Sequence, residues 1–237
     1  MVEELFSVGA HFGMTRSRRH PSAKPFIFGI KNRVEIFDLT KTSVELEKAK
    51  AFIKNLGSES GVVLFVGGKS EAKQSVLDMA HKAGAPYVAG RWLGGTLTNF
   101  SEIRKRVNKL EELISQREKG ELAKYTKKER LLIDREIEHL QEFFSGLLPL
   151  RALPKAVFVV DPRREDTAVK EAKTLNIPII ALASSDCNLN EIDYPIPGND
   201  ASKSSVFFFV KEIVAAYEEG LANPKVKEVK EKAGAEK

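Results

Sequence analysis

Gly61-Val-Val-Leu-Phe-Val66, Ala156-Val-Phe-Val-Val160 and Pro178-Ile-Ile-Ala-Leu-Ala183 are three runs of strand length, apolar at nearly every position. A strand that is apolar on both faces has to be covered on both faces, as in a parallel sheet packed between helices. Gly67-Gly68-Lys69 follows the first run, and a helix is expected over 70–82. Asp161-Pro162 follows the second, with a helix expected over 165–175. The third leads through a loop to Tyr194-Pro195-Ile196 and a helix expected over 202–220. This alternation predicts an α/β fold with a mostly parallel sheet flanked by helices.

Towards the N-terminus, Phe26-Ile27-Phe28-Gly29 and Val34-Glu35-Ile36-Phe37 flank the polar Lys31-Asn32-Arg33, which reads as a β-hairpin. A helix over 41–56 is expected to stop at Gly57, the usual left-handed end. Residues 101–145 follow another rule. Ile103, Val107, Leu110 and Ile114 recur at spacings of four, three and four, and Ile133, Ile137, Leu140 and Phe144 repeat them. Two amphipathic helices joined near Gly120 would pack as an antiparallel coiled-coil hairpin. Thr126 with Glu129 forms a capping box where the second would begin. With 11 Lys+Arg against 10 Asp+Glu, the segment suits a hairpin projecting into solvent. The expected organisation is a sheet domain formed by 1–100 and 146–222, a hairpin insertion at 101–145, and a Lys/Glu-rich tail at 223–237 expected to be disordered.

The chain has 237 residues, 42% of them hydrophobic, enough for a substantial core. No apolar run reaches membrane-spanning length, and Glu3 and Glu4 interrupt the start, so neither a membrane span nor a signal peptide is expected. The single cysteine, Cys187, allows no intramolecular disulfide and no cysteine-based zinc cluster, which suits a reducing cytoplasmic compartment.

An enzyme of this fold would use the carboxyl ends of its strands. There stand Gly67-Gly68-Lys69-Ser70, Asp161 and Ser184-Ser185-Asp186. Gly68-Lys69-Ser70 matches the end of a phosphate-binding P-loop, but Val63 occupies the position of its first glycine. No two of His11, His20, His81 and His139 share a helix face at ligand spacing, and no nucleophile stands out with a base and an orienting group. A nucleotide- or phosphosugar-binding enzyme using the strand-end loops remains the alternative to RNA binding.

The net charge of +5 permits a nucleic-acid partner, and its distribution says more. Residues 5–34 contain no Asp or Glu while carrying Arg16, Arg18, Arg19, Lys24, Lys31 and Arg33. Arg104-Lys105 opens the first hairpin helix, and Arg163-Arg164 follows a strand end. Such groups supply phosphate contacts. The glycine-rich stretch from Arg91 and Trp92 to Asn99 offers a cation, an aromatic face and close backbone approach. Trp92 either stacks on an unpaired base or plugs the core; the residues alone favour neither.

Gly9-Ala10-His11-Phe12-Gly13, Pro25-Phe26-Ile27-Phe28-Gly29 and Ile36-Phe37-Asp38-Leu39-Thr40-Lys41-Thr42 occur in this order. Arg91-Trp92-Leu93-Gly94-Gly95-Thr96-Leu97-Thr98-Asn99, Thr126-Lys127-Lys128-Glu129 and Pro195-Ile196-Pro197-Gly198-Asn199-Asp200 follow. The series resembles the small-subunit ribosomal protein two family of bacterial type over about residues 3–222. The resemblance implies a Rossmann-like sheet domain with an inserted coiled-coil hairpin and no catalytic activity. It further implies binding to ribosomal RNA between the head and body of the small subunit, late in assembly. Neighbouring small-subunit proteins would be partners, among them small-subunit ribosomal protein one. In some members a histidine at the position of Met14 and an aspartate at that of Ala201 help form a metal site. Here only His11 and Asp200 remain, so neither metal nor other cofactor is expected.

Overall fold

A computed structural model describes residues 1–224, except the side chain of Ala123. The elements in chain order are α1 (Val2–Ser7), β1 (Phe12–Thr15), β2 (Ile27–Lys31), β3 (Val34–Phe37), α2 (Leu39–Ser58), β4 (Val63–Val66), α3 (Ser70–Lys82) and β5 (Tyr87–Val88). There follow α4 (Phe100–Glu118), α5 (Lys127–Phe144), β6 (Ala156–Val160), α6 (Asp166–Thr174), β7 (Ile179–Ala183), β8 (Tyr194–Pro197) and α7 (Lys203–Ala222).

The main sheet is parallel, in the order β5-β4-β6-β7-β8. Its strands divide their side chains with period two. Val63, Phe65, Phe158, Ile180 and Leu182 join Leu46, Ile53, Val76, Phe209 and Ile213 of α2, α3 and α7 on one face. Leu64, Val66, Val157, Val159 and Ala181 pack on the other with Val169, Trp92, Leu110 and Ile137. The apolar runs are thus explained: both faces are buried. Because β4 leads first to β5 on one side and later to β6 on the other, the strand order reverses between β4 and β6, where such sheets open a crevice at their carboxyl ends.

A second, antiparallel sheet has the order β1-β3-β2. Asn32 and Arg33 turn its hairpin with φ of 50° and 66°, both left-handed, as a two-residue turn of this twist requires. β1, β5 and α1 are too short to be read from periodicity.

Gly57 differs from its expected role as a helix stop. It lies buried inside α2, where a Cβ would come 2.8 Å from the Tyr217 carbonyl oxygen and 3.2 Å from Gly220. The glycine lets α2 and α7 touch backbone to backbone. The capping box is present: Thr126 Oγ1 accepts from the Glu129 amide, and the Glu129 carboxylate accepts from the Thr126 amide at 2.8 Å. α4 and α5 run antiparallel and pack together, with Lys109 paired to Glu136 across them. Their seam residues Val107, Leu110, Ile137, Leu140 and Phe144 belong to the same apolar cluster as β4 and β6. Of the tail expected over 223–237, Asn223 caps α7 and Pro224 follows; 225–237 lie outside the described residues.

Candidate nucleic-acid interface

The carboxyl ends of the sheet strands are closed over β7 and β8 by the N-terminal segment. The Met14 amide donates to Ser185 Oγ at 2.9 Å, the His20 amide to the Ser185 carbonyl at 2.8 Å, and Asn199 Nδ2 to the Gly9 carbonyl at 2.9 Å. At the switch point, Lys69 reaches Asp161 at 3.0 Å and Asp200 at 3.3 Å. Burial opposes charge on Lys69, but the two carboxylates prevail and hold its pKa above the ordinary value. Burial pushes the Asp200 carboxyl up to about 7, with Asp161 adding to the rise and Lys69 opposing it. The ammonium fills the place a cation would take between these acids. Among the described residues, no group of three or more His, Cys, Asp or Glu is arranged to hold a metal ion.

Over β4, β5 and the start of α6, the crevice stays open as a cleft of about 610 Å³, lined by Gly68, Gly90, Arg91, Gly94, Arg164 and Glu165 among others. Of the two readings left open for Trp92, a stacking face or a core plug, its position favours the core plug. Trp92 is only 7% exposed, its ring packs in the core, and its indole Nε1–H donates to Glu171 Oε1 at 3.0 Å. Glu171, on α6, also accepts from the amides of Gly95, Leu97 and Thr98 at 2.8–3.1 Å and from the Thr98 hydroxyl. Burial alone would raise its pKa; the bonds from Trp92 and these amides hold it below the ordinary glutamate value. One carboxylate therefore gathers the whole loop, Trp92 anchors it, and Arg91 and Asn99 are left exposed on its outer side. No sequence signal marked Glu171, because nothing in the order of residues ties α6 to a loop some seventy positions earlier.

The acid-free stretch separates into free and committed cations. Arg16, Arg18, Lys24, Lys31 and Arg33 are exposed, and none has a carboxylate within ion-pair distance among the described residues. Arg19 differs: it pairs at 3.1 Å with Glu35, whose side chain is fully buried. Phe28, not singled out in the sequence, stands 81% exposed on β2, the strand that also carries Lys31. It offers an exposed aromatic face on which an unpaired base can stack.

Arg104 is also committed. It donates to the Leu150 carbonyl at 3.2 Å and to Glu111 at 3.2 Å, strapping α4 to the chain after α5. That leaves little of it for phosphate. Lys105 is exposed beside Glu102, and Arg163 pairs with Asp186 at 2.6 Å while remaining 59% exposed. Arg164 is exposed at the open cleft. Cys187 is buried, which raises its thiol pKa and leaves it inert.

The sequence was compared with known proteins. The model of the family described as "Ribosomal protein S2" matches residues 5–220. "Small ribosomal subunit protein uS2" of Nitratiruptor sp. is 41% identical over 219 residues, covering 92% of this chain and 82% of the relative. The protein of the same name from Mycobacteroides abscessus is 42% identical over 220 residues, covering 93% and 79%. That of Acidothermus cellulolyticus is 42% identical over 221 residues, covering 93% and 80%. With its two-sided parallel sheet and a match along nearly its whole length, the chain belongs to the ribosomal protein S2 family.

Proposed function

We propose that this chain binds small-subunit ribosomal RNA through the basic segment from Arg16 to the β2–β3 hairpin and through the Arg91–Arg164 side of the open strand ends. As a family member it is a structural, non-enzymatic component of the small ribosomal subunit. The RNA-binding reading rests on one observation above all: five exposed cations without carboxylate partners lie on the small antiparallel sheet or in the segments that join its strands, and the sheet also carries the exposed Phe28. Charged groups that stabilise a fold are found paired, as Arg19 and Arg104 are; unpaired ones are available to phosphates. The same reading carries the late-assembly role and neighbouring-protein contacts implied by the resemblance, including small-subunit ribosomal protein one.

Salt dependence tests it. Each phosphate contact contributes about 0.7–0.9 to the slope of log affinity against log salt. Arg16→Ala, Arg18→Ala and Arg33→Asn combined should flatten that slope for small-subunit ribosomal RNA and reduce co-sedimentation with small subunits. Asn suits position 33 because it tolerates the left-handed backbone. Arg19 stays unchanged, since its removal would strand the buried Glu35. A folded triple variant with the wild-type slope would remove the hairpin from the interface.

A further inference from the structure

The open cleft contains glycines that the chain's own packing does not require. At Gly68 a Cβ would overlap the Gly90 carbonyl oxygen and lie 2.7 Å from Glu165 Oε1, so the fold itself demands glycine. Gly95 has a left-handed φ of 91°, a backbone reason of its own. Gly90 and Gly94 have neither reason. Their φ values are not left-handed, and a Cβ at either would meet nothing within 4 Å. Both nevertheless line the same cleft, and Arg91 stands between them in the chain. Arg164, from the turn before α6 and without an ion-pair partner among the described residues, lines the same cleft.

Bare backbone flanked by guanidinium groups is suited to a phosphodiester. Sugar and phosphate can approach a glycine where a Cβ would hold them off, and arginine matches phosphate oxygens in charge and geometry. The one acid in the lining, Glu165, is buried, with Oε1 accepting from the Gly68 amide at 3.2 Å. Burial raises its pKa, while the Gly68 amide it accepts from acts in the opposite direction. With a volume of about 610 Å³, the cleft has room for nucleotide-sized groups of one strand rather than for the paired strands of a duplex.

We propose that this cleft seats a phosphodiester of an unpaired stretch of ribosomal RNA, its oxygens between Arg91 and Arg164 and its sugar–phosphate against the backbone of Gly90 and Gly94. The proposal rests on the RNA-binding reading above and names the RNA feature that this part of the surface takes.

The test measures binding of the full chain to purified small-subunit ribosomal RNA. Gly90→Ala with Gly94→Ala, and separately Gly94→Gln, should leave the melting temperature unchanged. Each should weaken binding, by about tenfold for the larger side chain, without changing the salt slope, because steric contacts release no counterions. Arg164→Ala should lower the slope by about 0.7–0.9. A short oligouridylate should compete for wild type better than for Gly94→Gln, and adenosine monophosphate should compete poorly with both. Wild-type affinity in both glycine variants would overturn the cleft while leaving the hairpin reading intact, because the hairpin variant reports independently through its slope. Displacement by adenosine monophosphate as effective as by the strand would make this a free-nucleotide site and overturn the RNA assignment. A wild-type chain that binds no RNA would overturn both readings.

Discussion

Glu171 and Trp92 decide the shape of the Arg91–Asn99 loop. Five donors converge on one carboxylate, so losing it would leave several buried amides unsatisfied, each costing about 1–3 kcal/mol. Glu171→Gln is expected to lower the unfolding free energy by about 2–3 kcal/mol, as its amide nitrogen meets donors instead of acceptors. Trp92→Ala should cost about 3–5 kcal/mol, as for other large aromatic core residues. Calorimetric melting checks both; near-wild-type stability in Trp92→Ala would return the ring to the interface. Asp200 makes a second prediction. Its folded pKa, about 7, lies above the ordinary aspartate value, so the folded state binds that proton more tightly than the unfolded chain. The resulting stability is fully present below the ordinary aspartate range and is lost as pH rises through about 7. Asp200→Asn has no such proton, so wild type should lose melting temperature relative to the variant between about pH 4 and about pH 7. A difference independent of pH would mean that Lys69 keeps Asp200 ionised throughout.

Among the elements, those with strong local signals were the most legible. The apolar runs located β4, β6 and β7, the Thr126 capping box located the start of α5, and Lys31-Asn32-Arg33 located the hairpin turn. Gly57 was misread because a glycine near a helix end has two uses, a left-handed stop or a close crossing, and only the partner helix decides between them. The α4–α5 pair shows the same limit. Its spacing predicts an apolar seam, and seam residues at its base pack into the sheet's second face beside Leu64 and Val157. Replacing the exposed tip, about residues 116–128, by a short turn should therefore leave the melting temperature nearly unchanged. Deleting 101–145 should uncover that face and abolish cooperative unfolding. Denaturation of the two deletion variants side by side decides it, and a cooperative full deletion would make the hairpin an independent unit.

At the scale of the whole molecule, the strand ends where α/β enzymes place their ligands are divided. The N-terminal segment closes the β7–β8 half, and Lys69 neutralises the switch point by pairing with Asp161 and Asp200. The other half stays open, with Arg91 and Arg164 at its lining and bare glycine backbone between. The net charge of +5 is modest, so binding depends on where unpaired cations gather rather than on their total.

The sequence by itself determined the fold class, because a strand buried on both faces must be apolar throughout and each such run was followed by a helix or a loop leading to one. It also determined where basic residues concentrate, since the absence of acids over residues 5–34 is a property of order alone. Tertiary structure decided which of those cations are free. Arg16, Arg18 and Arg19 read alike in sequence, yet only Arg19 finds Glu35, which the hairpin folds back against it. It likewise decided that Trp92 is an anchor, because Glu171 arrives from a distant helix to take its indole proton. Periodicity records which face of an element is covered; pairing and burial of single side chains depend on contacts between residues far apart in the chain, which no local pattern encodes.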